Sequence, residues 1–336
     1  MDATTAANRS VPERPMTIGF MLVERFSMIA FASAIEPLRL ANREAGRELY
    51  AVSIYSETGG PCAASNGVAV GVERSFAQAP DLDMALVCGG IDVHRIDHGA
   101  LTTVLRRLAS RGRALGALCT GPYVLARAGL LDGYRATIHW ENIPSLASEH
   151  PETEVESELF EIDRDRLTCG GGFAAADMML ALISRDHGNA LASEVAEQLL
   201  HPRIREAGER QRMDLRMRLG VSHPKLLKVV ALMEKTIEDP LSSQELADSV
   251  RLSTRQLERL FFKYLGQSPA KHYLRIRLER ARTLIRQTSM PILSVALECG
   301  FSSASHFSRA YLDGFGKPPS AERKAPVPQA AARAAE

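Results

Sequence analysis

"RALGALCTGPYVLARAGLLDG", residues 113–133, runs from a short apolar stretch through Cys119, Thr120 and Gly121 into a segment whose apolar residues recur at helical spacing. It predicts a strand, a tight turn and a helix. The same alternation surrounds it. "MTIGFMLV" (16–23) precedes "SMIAFASAIEPLRLANR", "YAVSIYS" (50–56) follows, "MALVCGG" (84–90) precedes "ALTTVLRRLASRG", and "RLTCGGG" (166–172) precedes "AAADMMLALISRDHG". Strands that are apolar throughout, separated by amphipathic helices, predict an α/β fold: a doubly wound parallel sheet covered on both faces.

A chain of 336 residues with 45% apolar content is long enough for two domains. Its 41 Lys+Arg nearly balance 40 Asp+Glu, but residues 222–324 hold 17 basic against 10 acidic side chains, so the C-terminal third is basic. Five scattered cysteines without CxxC spacing argue against a disulfide framework or a structural zinc site and fit a reducing compartment. "MDATTAANRSVPERP" has no apolar core, and no apolar run approaches about 18 residues, so no membrane span is expected and the protein is placed in the cytoplasm.

The basic third is all-α and internally repeated. "ELADSVRLSTRQLERLFFKYLG" (245–266) and "SVALECGFSSASHFSRAYLDGFG" (294–316) share one plan: a helix with Ala247 or Ala296, a tight turn, and a second helix with Leu257/Phe307 and Arg259/Arg309. These are two helix-turn-helix units, the second with one extra turn residue. Ser242 with Glu245 and Ser253 with Gln256 have capping-box spacing, and Ser268-Pro269 opens a further helix over 268–288. That helix, about 20 residues and so about 30 Å long, nearly matches the roughly 34 Å between successive major-groove faces of DNA. A helical protein-binding domain with a solvated basic face is the alternative.

On these motifs, residues 224–324 resemble the DNA-binding domain of AraC/XylS-type transcription regulators. The family's second-unit signature stands here as "SVALECGFSSASHFSRAYLDGFGKPPSAER", with Leu312-Asp313-Gly314 departing from the basic residues often found there. The resemblance implies a first recognition helix over 254–263 with Arg255, Glu258 and Arg259 toward the groove. It implies a second over 303–313 with Ala304, Ser305, Ser308 and Arg309 outward. Arginine can bond guanine O6 and N7, and Glu258 can accept from cytosine N4. His306 is open to a phosphate contact or to packing. Leu257, Leu260, Phe261, Phe307 and Tyr311 are core. The implied partners are double-stranded promoter DNA, RNA polymerase and a second copy in a homodimer, with activation the expected sign and no membrane involved.

"LCTGPYVLARAGLLDGYRATIHW" resembles the PfpI-type, class I amidotransferase-like domain, flavodoxin-like in fold, that precedes such units in one branch of these regulators. Within that branch "GFMLVERFSMIAFASAIEPLRLAN", "PDLDMALVCGG" and "HWEN" resemble regulators of carnitine and choline-betaine catabolism. Catalytic relatives pair the cysteine with a histidine and with an acid at the start of the first helix. Cys119 and His139 match the first two, but the third position falls near Ala30, and Glu36 lies two turns late. Cys119 and His139 are therefore vestigial candidates in a pocket rather than a nucleophile and its base. A cysteine-dependent amidase or hydrolase fused to a DNA-binding domain is the alternative.

The expected effector site comprises Gly89, Gly90, Cys119, Thr120, Gly121, His139 and Trp140. The glycines would admit a ligand, the Thr120 and Gly121 amides would bind a carboxylate, and Trp140 would take a quaternary ammonium of the betaine or carnitine kind. Phe26, Phe31, Tyr123 and Phe173 are candidate further walls. Arginine is the alternative effector. No cofactor and no metal are expected: "HRIDH" (94–98) is read as solvated, Cys88 and Cys169 as buried small hydrophobes, and "CGGG" (169–172) as a ligand-side turn. The expected boundaries are tails at 1–15 and 325–336, a sensing domain at 16–200, a charged linker at 201–222 and the DNA-binding domain at 223–324.

Overall fold

The strand Met84–Cys88 is buried along its whole length, and its side chains divide between two cores, with Met84, Leu86 and Cys88 on one face and Ala85 and Val87 on the other. A strand with no polar face needs cover on both sides. The computed structural model, which describes residues 14–324, provides it. In chain order the strands are β1 (Met16–Leu22), β2 (Tyr50–Ser56), β3 (Cys62–Ala63), β4 (Ala69–Val70), β5 (Arg74–Ser75), β6 (Met84–Cys88), β7 (Ala114–Leu118), β8 (Arg135–Thr137), β9 (Glu154–Glu156), β10 (Phe160–Asp163) and β11 (Arg166–Cys169). Seven of them form one sheet in the order β10-β11-β7-β6-β1-β2-β5. It is parallel except for β10, which turns back on β11. β3 and β4 make a small antiparallel pair, β8 and β9 a parallel one.

The helices of this part are α1 (Met28–Glu44), α2 (Gly99–Ser110), α3 (Pro122–Arg127), α4 (Ile143–Glu149), α5 (Ala174–His187) and α6 (Asn189–Gln198). α1, α5 and α6 bury Phe31, Leu38, Met178, Leu182 and Val195 on one face of the sheet, and α2 and α3 bury Leu101, Leu105, Val124 and Leu125 on the other. The expected doubly wound sheet is therefore present. No helix among the described residues is long and apolar enough to cross a membrane.

The chain divides into two compact units that meet between Gln211 and Arg212. The first extends past position 200 because residues 201–211, read from sequence as linker, are bonded to it. Asp177, fully buried on α5, accepts from the Arg205 backbone N–H (2.8 Å) and from Arg205 Nε and Nη2 (3.0 and 2.7 Å), and His201 Nε2 lies 2.9 Å away. A buried carboxylate needs such partners, and here all of them come from the segment it retains. Arg14, within the expected N-terminal tail, forks onto Asp83 at 2.6 and 2.8 Å. The remainder of that tail before Arg14, and the expected tail 325–336, lie outside the described residues.

The second unit contains α7 (Leu215–Leu219), α8 (Pro224–Lys235), α9 (Ser243–Asp248), α10 (Thr254–Leu265), α11 (Pro269–Gln287), α12 (Ile292–Glu298), α13 (Ala304–Phe315) and α14 (Pro319–Lys324). Both expected capping boxes form, on Ser242 and Ser253. There are two cores. One gathers Leu226, Val230, Leu246, Leu257 and Phe261, and the other Leu284, Val295, Phe301, Phe307 and Tyr311. α11 serves both, giving Tyr273 to the first and Leu278 to Ile285 to the second.

Each repeat closes its turn in the same way. Leu252 N–H donates to Ala247 O (3.0 Å), and Phe301 N–H to Ala296 O (2.9 Å). Since the caps Ser253 and Ser303 are one residue further apart than these pairs, the extra residue of the second unit is Ser302. Arg277 clasps that turn through Cys299 O and Gly300 O at 2.8 and 2.6 Å.

Asp177→Asn should cost the first unit about 1.5–3 kcal/mol, the worth of a hydrogen bond to a charged group. The measurement is a shift of the urea midpoint at unchanged slope, followed by the only tryptophan, Trp140, which lies in this unit. An unchanged midpoint would show that Asp177 does not hold the 201–205 segment.

Candidate functional site

β7 ends at Leu118, and Cys119, the next residue, has φ +60. A side chain in the left-handed region is strained, and the surrounding backbone holds it there. Cys119 N–H donates to Cys169 O (3.1 Å), His139 N–H to Cys119 O (2.9 Å) and Gly121 N–H to Leu118 O (2.9 Å). Thr120 Oγ1 donates to Gly90 O at 2.7 Å. A Cβ on Gly89 would fall 2.3 Å from Gly121 N, and one on Gly90 only 2.0 Å from Arg25 O. What these two glycines admit is the protein's own backbone rather than a ligand. The Gly121 amide, expected to meet a carboxylate, is already taken by Leu118 O.

Burial pushes the Cys119 thiol up to about 11, and the charge of Glu141 adds to this, against the Thr120 N–H and the Ser27 hydroxyl, which favour the thiolate. At neutral pH the group is a thiol. The side chain that reaches the sulfur from the start of α1 is Ser27, three residues before the expected Ala30, which is buried in the core. The substitution of position matters less than the chemistry: serine, like alanine, brings no charge. His139 is held below the usual histidine range by burial, and its Nδ1 lies 3.9 Å from Glu141.

Large apolar side chains near this elbow are part-exposed. Trp140, 38% exposed, has its ring 5.6 Å from that of His139, and Phe173, 64% exposed, follows the turn after β11. Ile29 and Ile91, also exposed, follow β1 and β6. Gly171 lies directly against the cysteine, so that a Cβ there would be 3.2 Å from the sulfur. Three of the four expected further walls are buried: Phe26 and Phe31 pack edge to face in the core (5.6 Å), and Tyr123 has its hydroxyl on Glu149. His98, expected in solvent, is buried with Nε2 2.8 Å from Val93 O. Cys88 and Cys169 are buried, and burial pushes the Cys169 thiol up to about 12. Glu141, Ser27 and Ile91 were not singled out from sequence, because their value lies in neighbours that the sheet order brings together.

In the second unit Arg255, Glu258 and Arg259 stand on the exposed face of α10, opposite buried Leu257 and Phe261. On α13, Ala304, Ser305 and Arg309 are exposed and Ser308 half-buried, opposite Phe307 and Tyr311. His306 is exposed, with its ring 5.7 Å from Phe301. Beside α10 runs a groove lined by His223, Lys225, Arg259 and Lys263. Its lysines add positive charge beside the exposed face of α10, which the repeat comparison alone did not reveal.

Comparison with known proteins addresses both units. A family profile described as DJ-1/PfpI family matches residues 16–185, and one described as a helix-turn-helix domain matches 246–325. The chain is 46% identical to the HTH-type transcriptional regulator GbdR of Pseudomonas aeruginosa, over 92% of this chain and 84% of that protein. It is 44% identical to the HTH-type transcriptional regulator CdhR of the same species, over 90% of each. The crystal structure of an AraC family transcriptional regulator from Pseudomonas putida matches with a TM-score of 0.52 at 34% identity, covering 55% of this chain and all of that one.

Two predictions follow from this geometry. Alkylation of Cys119 should be slow at pH 7 and rise about tenfold per pH unit toward pH 11, with Cys119→Ser as the blank; a plateau below pH 9 would mean an activated thiolate. Arg259→Ala or Arg309→Ala should each weaken cognate DNA binding by about 1–3 kcal/mol and relax base preference under its own helix. Footprints unchanged in strength and sequence preference would remove that helix from the groove.

Proposed function

Because the chain belongs to the AraC-type helix-turn-helix transcription regulators that carry a DJ-1/PfpI-family domain, we propose that its first unit is a receptor that binds a small effector without turning it over. The chain is a sequence-specific DNA-binding transcription regulator. In our reading it works in the cytoplasm as a homodimer, activates a promoter by engaging RNA polymerase, and needs no cofactor. The observation that carries the receptor reading is the state of Cys119: a strained elbow with its thiol protonated, Ser27 where an acid would be needed, and no charged partner that favours the thiolate.

The effector class follows from the rim. Glu141, 51% exposed, lies 3.9 Å from His139, whose charged form burial disfavours, so the carboxylate remains for a ligand. Trp140, the adjacent residue, is an aromatic side chain of the kind that binds a cation with about 0.5–2 kcal/mol. A small amine-derived metabolite with a cationic head, of the betaine or carnitine type, fits these groups. The free carboxylate of Glu141 also favours a second reading, the guanidinium of arginine.

Titration of Trp140 fluorescence with glycine betaine, carnitine and arginine tests the class, with tert-butylacetate and citrulline as uncharged-head counterparts. One cation should bind saturably, and its counterpart about tenfold or more weakly; Glu141→Gln should shrink that ratio. Equal binding of the pair would sink the cation reading. Steady hydrolysis of an amide or ester that Cys119→Ser abolishes would restore the enzyme.

A further inference from the structure

Gln211 is the last residue of the first unit, and its side chain reaches back to the effector elbow. Nε2 lies 2.8 Å from Thr137 Oγ1, 2.9 Å from Ile138 O and 2.8 Å from Glu158 O. An amide nitrogen has only two protons to give, so three acceptors hold it fully engaged. The same amide lies against Gly170: a Cβ at that position would fall 2.3 Å from Oε1 and 2.4 Å from Cδ. The backbone just before Gln211 adds a short ribbon to the same place, with Leu159 N–H donating to Glu209 O (2.8 Å) and the Arg210 backbone paired antiparallel with that of Glu158.

These contacts close a ring around Cys119. Ile138, bound by Gln211, precedes His139, whose N–H donates to Cys119 O. Gly170, covered by Gln211, precedes Gly171, which packs on the Cys119 side chain. The two walls of the site, 138–141 and 170–173, are thus tied to each other on one side by the elbow and on the other by a residue whose next peptide bond begins the second unit.

We propose that Gln211 is the positioning residue through which occupancy of the Cys119 site is passed to the DNA-binding unit. A ligand seated between Trp140 and Phe173 must part or draw together the two walls. Gln211 cannot keep both its bonds to Thr137–Ile138 and its seat on Gly170 when their separation changes. The ribbon 207–211 then shifts, and with it the point from which the second unit is tethered. The inference rests on the receptor reading above.

The test uses the full-length protein with two readouts. Effector binding is followed by Trp140 fluorescence, with whichever of glycine betaine, carnitine or arginine the wild type binds. Coupling is followed as the ratio of promoter-DNA affinities, and of reporter transcription, with and without that ligand. Gln211→Met keeps length and cover over Gly170 but donates nothing, and Gln211→Ala removes both. Each should leave the effector dissociation constant within about threefold of wild type while the ratio falls to about one. Gly170→Ala, which displaces the Gln211 side chain without altering it, should likewise bring the ratio to about one. Wild-type ratios in Gln211→Met and Gly170→Ala would overturn the proposal and leave the receptor reading standing. Loss of effector binding along with the ratio would assign Gln211 a merely structural role. A wild type that binds none of the three ligands would remove both readings together.

Discussion

A cysteine held at φ +60 between a buried strand and a short helix sets the terms for the whole first unit. The left-handed conformation costs a residue with a Cβ about 1–2 kcal/mol, so it persists only where neighbours leave no alternative. Here the elbow's peptide groups are bonded on both sides, to Cys169 O and from His139 N–H, and the adjoining loops lack the Cβ atoms that would push it away. Strain retained in this way usually marks a working site. What the site lacks is charge placed to ionise the sulfur, and that separates the geometry of a nucleophile from its chemistry.

The order of the sheet explains why such distant residues meet. β7 lies between β6 and β11, so the segments after Cys88, Leu118 and Cys169 emerge side by side. The turn after β8 is then bonded to the elbow from outside the main sheet. Carboxyl ends of parallel strands are where α/β proteins gather ligand groups, and the part-exposed aromatic and aliphatic side chains follow those ends, while the large apolar residues of the strands are buried in one of two cores or packed against it.

Long uniform patterns were legible in the sequence, and short local ones were not. Wholly apolar runs such as Met84–Cys88 announced strands covered on both faces, and Ser253 with Gln256 announced a helix start that the structure keeps. β10, β5 and the pairs β3–β4 and β8–β9 span two to four residues, too few for a period to show. The segment 201–211 read as linker because its charge pattern hides that its partner, Asp177, sits inside an apolar helix. Gly89 and Gly90 signalled close approach correctly in kind, but whether the approaching group is ligand or backbone depends on the fold. Ser27 against Ala30 is an error of one helical turn, which alignment to a motif cannot resolve and a hydrogen bond can.

The sharing of α11 between two cores has a consequence for how this regulator can change over generations. A continuous helix turns about 100° and advances about 1.5 Å with each residue, so inserting or deleting one residue between Tyr273 and Leu278 would swing one helix-turn-helix unit around the other and unseat a core from their common rod. The spacing of the two helix-turn-helix units is therefore closed to gradual adjustment. The side chains on the exposed faces of α10 and α13 can change one at a time, while the gauge between them stays inherited.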